Sequence, residues 1–174
     1  MRRGVAPSEP KPDEKEPLNL TVAISPHGFQ IAATGAVLPA KTGCPPQGPT
    51  ICLVEQSADV AAKITEARRI IALGAEREKE GDELLKEVLS YYNFRELYNE
   101  LSRIKKQYPD ETVVTLSADA DMPFTVLVRV MDIVRFQLEK DSFSTNDEFY
   151  GADPKVENNA YAVLFGDPVL SILQ

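Results

Sequence analysis

Residues 91–135, YYNFRELYNELSRIKKQYPDETVVTLSADADMPFTVLVRVMDIVR, decide the fold of this 174-residue chain. Apolar residues in the first part recur every three or four positions and predict an amphipathic helix over 93–108. The β-branched run over 112–118 predicts a strand. Pro123 suits the first turn of a helix, so a second helix is predicted over 124–138. Its predicted buried stripe comprises Leu127, Val130, Met131, Val134 and Leu138.

The segment before this stretch predicts a β-hairpin. Apolar and polar residues alternate over 18–25, which is the period of a half-buried strand. Pro26-His27-Gly28 predicts the turn, and renewed alternation over 29–33 predicts the return strand. A Pro/Gly-rich loop is then expected over 38–50, followed by a short strand over 51–54.

The remaining segments predict more helix and two final strands. Residues 57–89 favour either two helical pieces or one frayed helix. A polar loop is predicted over 140–159, and strands are predicted over 160–165 and 169–173. The predicted fold class is α+β: a small mixed β-sheet with two main helices packed on one face, plus an inserted helical segment.

Composition excludes several functional classes. A net charge of −8 and a pI near 4.8 argue against binding to nucleic acid or to anionic membranes, whose phosphates require Lys and Arg. His27 is the only histidine, so the chain offers neither a catalytic Ser/His/Asp constellation nor an ordinary zinc site. We therefore expect no catalytic activity, metal or cofactor. No apolar run approaches the roughly 20 residues that span a bilayer.

Cys44 and Cys52 flank the Pro/Gly-rich sequence CPPQGPTIC and are the only cysteines of the chain. In an oxidising compartment they would form a short-loop disulfide. The alternative is a pair of unrelated thiols at a strand edge.

The turn before the second helix contains Asp119 and Asp121. Carboxylates are stabilised near a helix N-terminus, so helix capping is the favoured interpretation, with a metal site or a partner contact as alternatives. Helical spacing favours core positions for Phe124 and Met131, although both could be partner anchors. Asp132 is expected to face solvent or to hold a loop.

These residues resemble a known family at three places. The strand VVTLSA followed by Asp119, Pro123, Phe124 and a helix with Val130-Met131-Asp132 is similar to the periplasmic module of ExbD/TolR proteins. The opening LNLTVAISPHGFQIA resembles the first hairpin of that family, in which a Gly follows the turn. The ending LFGDPVLS resembles the end of its longer members.

The resemblance implies the domain organisation. Residues 1–17 would be a disordered juxtamembrane linker, and residues 18–174 a periplasmic domain in which 43–90 are an insertion relative to shorter members. The full-length protein would be anchored in the bacterial inner membrane by an N-terminal helix that is absent from this sequence; the alternative is a naturally soluble relative of the family. The membrane Asp that takes part in proton use would belong to that helix, so we assign none here.

The resemblance also implies a function and its partners. The chain would be a non-enzymatic stator subunit of a proton-motive-force-driven complex, beside a channel subunit of the ExbB, TolQ or MotA type. A TonB-like or TolA-like protein, or peptidoglycan, would be its periplasmic partner. The alternatives are a small envelope module that binds a ligand or peptidoglycan, and a metal-binding domain.

A homodimer is expected through a sheet edge. The strands over 18–25 and 169–173 carry no charge and no internal Pro, the usual protection of an edge. Either strand could pair with its symmetry mate across a two-fold axis, and the resemblance also implies a dimer. The candidate edge residues are Leu20 and Val22 in the first strand and Val169 and Leu170 in the last.

Overall fold

A computed structural model describes residues 17–173, so the linker predicted over 1–17 lies outside the described residues except for Pro17. The strands are β1 (Thr21–Ser25), β2 (Gly28–Ala33), β3 (Ala36–Val37), β4 (Ile51–Cys52), β5 (Val113–Asp119), β6 (Val156–Glu157), β7 (Ala160–Tyr161) and β8 (Asp167–Leu173). The α-helices are α1 (Val60–Ile71), α2 (Glu78–Ser90), α3 (Phe94–Gln107), α4 (Phe124–Arg135) and α5 (Asn146–Tyr150).

Six of these strands form one mixed sheet, which confirms the α+β fold class. Its order is β3-β2-β1-β5-β8, and β4 also pairs with β2. β1 is antiparallel to β2 but parallel to β5, and β5 is parallel to β8. Two of the three parallel strands, β5 and β8, are connected through α4, as parallel neighbours require a crossover.

The central position of β1 contradicts one prediction. β1 pairs on both sides, with Val22 opposite Ile31 of β2 and Leu116 of β5. Leu20 and Val22 are 1% and 0% exposed. The prediction that these two residues form a dimer edge is therefore wrong, because β5 covers the side of β1 that β2 leaves free.

The core lies on one face of the sheet. Alternate residues of β1 and β5 are buried there, in one cluster with the apolar stripes of α3 and α4. Val130 of α4 is fully buried in it. The segment 43–90 contributes Val60, Ile64 and Val88 to the same cluster. Burying an aliphatic side chain stabilises a fold by about 1.5–3 kcal/mol, so the inserted helices share the core that stabilises the sheet.

The ends of the helices follow local chemistry. α3 begins at a capping Asn93, whose Oδ1 accepts a hydrogen bond from the Glu96 amide at 3.2 Å. α4 ends at Arg135 and not near Leu138 as predicted. The backbone of Gln137 instead donates to Ala162 and accepts from Lys155, each at 2.9 Å, so the chain is extended here. Leu138 therefore does not belong to the stripe of α4.

Two other expectations need correction. The predicted polar loop 140–159 contains α5, capped by Thr145, and it buries Phe143 and Phe149 in the core. The strand predicted over 160–165 extends over only two residues, and β8 begins earlier than expected, at Asp167. The segment 57–89 forms two helices, α1 and α2, separated near Gly74, whose φ is +123°.

Candidate functional site

The first candidate surface is the β8 edge, which we define as residues 168–173. β8 hydrogen-bonds to β5 on one side and has no strand on its other side among residues 17–173. Val169, Leu170, Ile172 and Leu173 are between 44% and 60% exposed. Unpaired backbone groups beside exposed apolar side chains are a template for pairing with another strand.

The two faces of β8 are both open. Leu170 is opposite Leu116 and therefore lies on the helix-covered face, whereas Val169 is opposite Thr115 on the other face. Leu116 is completely buried, yet Leu170 beside it is 44% exposed, so the helices cover β8 only in part. A partner that pairs with β8 would cover apolar side chains on both faces.

The second candidate surface is a cleft of about 530 Å³ at the carboxyl ends of the parallel strands β1, β5 and β8. We name it the strand-end cleft. Crevices at this end of parallel sheets are common binding sites, and the volume lies within the range for ligand pockets. Its wall includes Ile64, Arg68, Asp119, Asp121, Met122 and Leu173.

Helix α1 forms one wall of the strand-end cleft. Ala61, Ile64, Thr65 and Arg68 line it at spacings of three or four, which places them on one helical face. Ile64 is buried, and Arg68 is half exposed at the rim. The insertion therefore supplies a wall that the motif strand and turn lack on their own.

Asp121 contacts Arg68 and does not cap α4. Arg68 donates to the Asp121 carboxylate at 3.1 Å and to its backbone carbonyl at 2.6 Å. α4 begins after Pro123 without a hydrogen bond from a capping side chain, so the capping role predicted for Asp119 and Asp121 is wrong. Pro123 fixes the backbone at the start of the helix, which leaves both carboxylates free to point to solvent and to α1.

The other motif residues lie along α4. Val130 is in the core, Met131 packs partly buried against it, and Asp132 is exposed. Phe124, for which a core position was favoured, is 71% exposed. It is the first residue of α4, and most of its side chain is open to solvent.

The structure joins Cys44 and Cys52 in a disulfide. Cys52 lies in β4, opposite Gly28 of β2, so the bridge ties the Pro/Gly-rich loop to the sheet. Lys41, in the same loop, forms an ion pair with the buried carboxylate of Glu100. Burial favours a higher pKa for Glu100, but hydrogen bonds from Arg103 and Lys41 outweigh it and lower the pKa.

Neither metal chemistry nor a membrane span is visible in the part of the chain that the structure describes. Within residues 17–173, no three His, Cys, Asp or Glu side chains are grouped as ligands of a metal ion. No helix among the same residues has the length and apolar character to cross a membrane.

These features define the chain as a small α+β domain whose candidate sites are an open strand edge and a cleft. The family model for the biopolymer transport protein ExbD/TolR matches residues 7–148, and the chain belongs to that family. The match includes the hairpin, the insertion and the motif, but it ends before β8. No curated protein and no solved structure matches the chain.

Sequence reasoning missed the link between Arg68 and Asp121, because 53 residues separate the two side chains. A weak signal was present, since Val60, Ile64 and Ile71 recur near helical spacing in an otherwise charged segment. That pattern predicts a buried face but not the element that it packs against.

Proposed function

We propose that this chain is the periplasmic domain of a stator subunit in a proton-motive-force-driven complex of the ExbB–ExbD or TolQ–TolR type. The family match over residues 7–148 carries the proposal. The domain transmits force to a periplasmic partner, either a TonB-like or TolA-like protein or peptidoglycan, and it performs no catalysis. An N-terminal helix of the full-length protein anchors it in the inner membrane beside a channel subunit of the ExbB, TolQ or MotA type.

The direct test is co-purification of the full-length protein with a candidate channel subunit from membranes. The proposal expects a stable complex that survives detergent extraction, with this domain protected from externally added protease only while the outer membrane is intact. A full-length protein that remains in the cytosolic fraction and binds no channel subunit would refute the proposal.

The β8 edge supports self-association. A second copy of β8 could pair across a two-fold axis, which would satisfy the free backbone groups of both copies. Val169 and Leu170 would then lie inside the interface. Membrane anchors would raise the local concentration of the two copies, so the isolated domain needs only weak affinity, at micromolar concentrations or above.

Sedimentation equilibrium across a wide concentration range tests this dimer. We expect Leu170→Lys to abolish the concentration-dependent dimer, because it places a charge beside the pairing strand. Val37→Lys is the matched control, since Val37 is 59% exposed in β3, at the opposite edge of the sheet. A domain that stays monomeric at millimolar concentration, or equal loss in both variants, would reject the β8 dimer.

The strand-end cleft favours a second candidate function, a small envelope module that binds a ligand or peptidoglycan. Binding of the domain to cell-wall sacculi and to TonB-like peptides would be compared by co-sedimentation and by fluorescence anisotropy. Variants of Arg68 should weaken binding to the true partner only if the cleft is the contact surface. Binding to sacculi alone would favour the second function over the transmission of force to a TonB-like protein.

A further inference from the structure

A cavity of about 310 Å³ beside the end of α3 differs in charge from the rest of the molecule. Its wall includes Ser102, Lys105 and Lys106 of α3, Gln137, Asp141 and Lys155. Three lysines and one aspartate give this wall a formal charge of +2, whereas the whole chain has a net charge of −8. It shares no lining residue with the strand-end cleft, so we treat it as a separate site and name it the lysine pocket.

The hydroxyl of Ser102 is the most unusual group of the lysine pocket. Ser102 is only 4% exposed, and its Oγ has no hydrogen-bond partner among residues 17–173. Buried hydroxyl groups in folded proteins are nearly always hydrogen-bonded, so this one requires an explanation. Ser102 is among the residues that line the pocket, and its hydroxyl is free to turn about the Cβ–Oγ bond.

Lys105 is the least hydrated of the three lysines. Its Nζ donates to the carbonyl of Glu111 and lies 5.2 Å from the centre of the Phe165 ring. Burial lowers the pKa of the Lys105 ammonium, an effect that the nearby carboxylates of Glu111 and Asp110 only partly oppose. A bound anion would supply the negative charge that this partly buried ammonium lacks.

The other two lysines have partners that they can exchange. Lys106 pairs with Asp141 at 2.8 Å and Lys155 pairs with Glu157 at 3.0 Å. Both pairs are solvent-exposed, where ion pairs are weak and screened by salt. Each ammonium carries three donors, so both can contact a further acceptor without losing these pairs.

We propose that the lysine pocket binds an oxyanion, either a carboxylate or a phosphate group, between the Ser102 hydroxyl and the ammonium groups of Lys105, Lys106 and Lys155. Apart from Asp141, the polar side chains present donors: one hydroxyl, three ammonium groups and the Gln137 amide, whose Nε2 also donates to Val163 at 2.8 Å. The positive wall disfavours a cation. Charge-assisted hydrogen bonds to oxygen acceptors are the strong interactions that this set can make.

The test uses the 174-residue chain and two probes, inorganic phosphate and glutarate, titrated separately at constant ionic strength. Amide chemical shifts report which residues respond, and calorimetry gives the affinity. We expect saturable shifts centred on Ser102, Lys105 and Lys155 for at least one probe. The stronger probe identifies the source of the oxyanion as phosphate or carboxylate.

Two variants and one control test whether the probe binds in the lysine pocket. Lys105→Met removes the charge but keeps an unbranched apolar side chain, and it should weaken binding at least tenfold. Ser102→Ala should also weaken it, and Lys155→Met serves in its place if the buried change disturbs the fold. Lys79→Met is the control, because Lys79 is exposed in α2 and outside the pocket, and it should bind as the parent does.

Two results would overturn the proposal. One is that neither probe gives a saturable response. The other is equal binding by the parent, the pocket variants and the Lys79 control, which would identify an adventitious ion only. Both results leave the stator proposal untouched, because that proposal rests on the family match over residues 7–148 and on no ligand of the lysine pocket.

Discussion

The substitution Gly28→Ala should destabilise the domain far more than a change of one methyl group suggests. Gly28 follows the hairpin turn with a φ of +134°, a conformation that residues with a Cβ rarely adopt. It also pairs with Cys52 of β4. A Cβ at this position would lie 2.1 Å from the carbonyl oxygen of Ile51 and 3.1 Å from the Cα of Cys52.

Two terms add to the expected cost. Holding alanine at this φ costs about 1–3 kcal/mol of backbone strain. The clash adds about 1–3 kcal/mol or more, since the obstructing atoms belong to backbone and no rotamer change can remove them. The sum is at least about 3 kcal/mol, a large share of the 5–15 kcal/mol that is typical of small domains.

Gly35→Ala separates the two terms. Gly35 has a φ of +77°, and an added Cβ there would meet no atom within 4 Å. Its cost should therefore be strain alone, about 1–2 kcal/mol. Urea unfolding of both variants with the disulfide intact measures the difference, which should exceed about 1 kcal/mol. Equal loss of stability in both would refute the view that β4 packs against Gly28.

Three further predictions concern the core, a buried ion pair and the disulfide. Val130→Asp should unfold the domain, because a carboxylate in the core costs several kcal/mol, whereas Asp121→Ala should cost less than about 1 kcal/mol by thermal denaturation. The pKa of Glu100 is lowered in the folded state, so its contribution is complete above the unfolded value of about 4.3 and is lost as the pH falls below it. Stability–pH curves of the parent and of Glu100→Gln should therefore converge toward acid pH; parallel curves would contradict this assignment. Thiol titration of oxidised protein should find neither Cys44 nor Cys52 free, and reduction should lower stability by about 2–3 kcal/mol.

The elements with a strong local pattern could be predicted from the sequence. α3 has apolar residues on one face, an Asn cap and a terminating Pro, and the structure has it within one or two residues of the prediction. β5 and the start of α4 were equally predictable, because β-branched residues and Pro123 restrict the backbone locally. In these segments local preference and tertiary packing agree.

What depends on distant residues could not be predicted. β1 looked like an edge because its own sequence does not reveal that β5 pairs with it. α5 was not predicted, because it lies in a polar segment. Its position depends on two phenylalanines, Phe143 and Phe149, that pack against the distant Tyr98. The exposed position of Phe124 was missed for the same reason. Helical spacing shows which residues share a face of the helix, but not which of them are buried by neighbouring elements.

The segment 43–90 packs against the sheet and the motif turn and is not an appendage to them. β4 pairs with β2, the disulfide ties the preceding loop to β4, and Arg68 contacts Asp121 in the motif turn. These ties place one face of α1 opposite the carboxyl ends of the parallel strands, so the strand-end cleft exists only because the insertion packs there. The pair formed by Arg68 and Asp121 is exposed, and a charged group of a partner can replace either side chain at little cost.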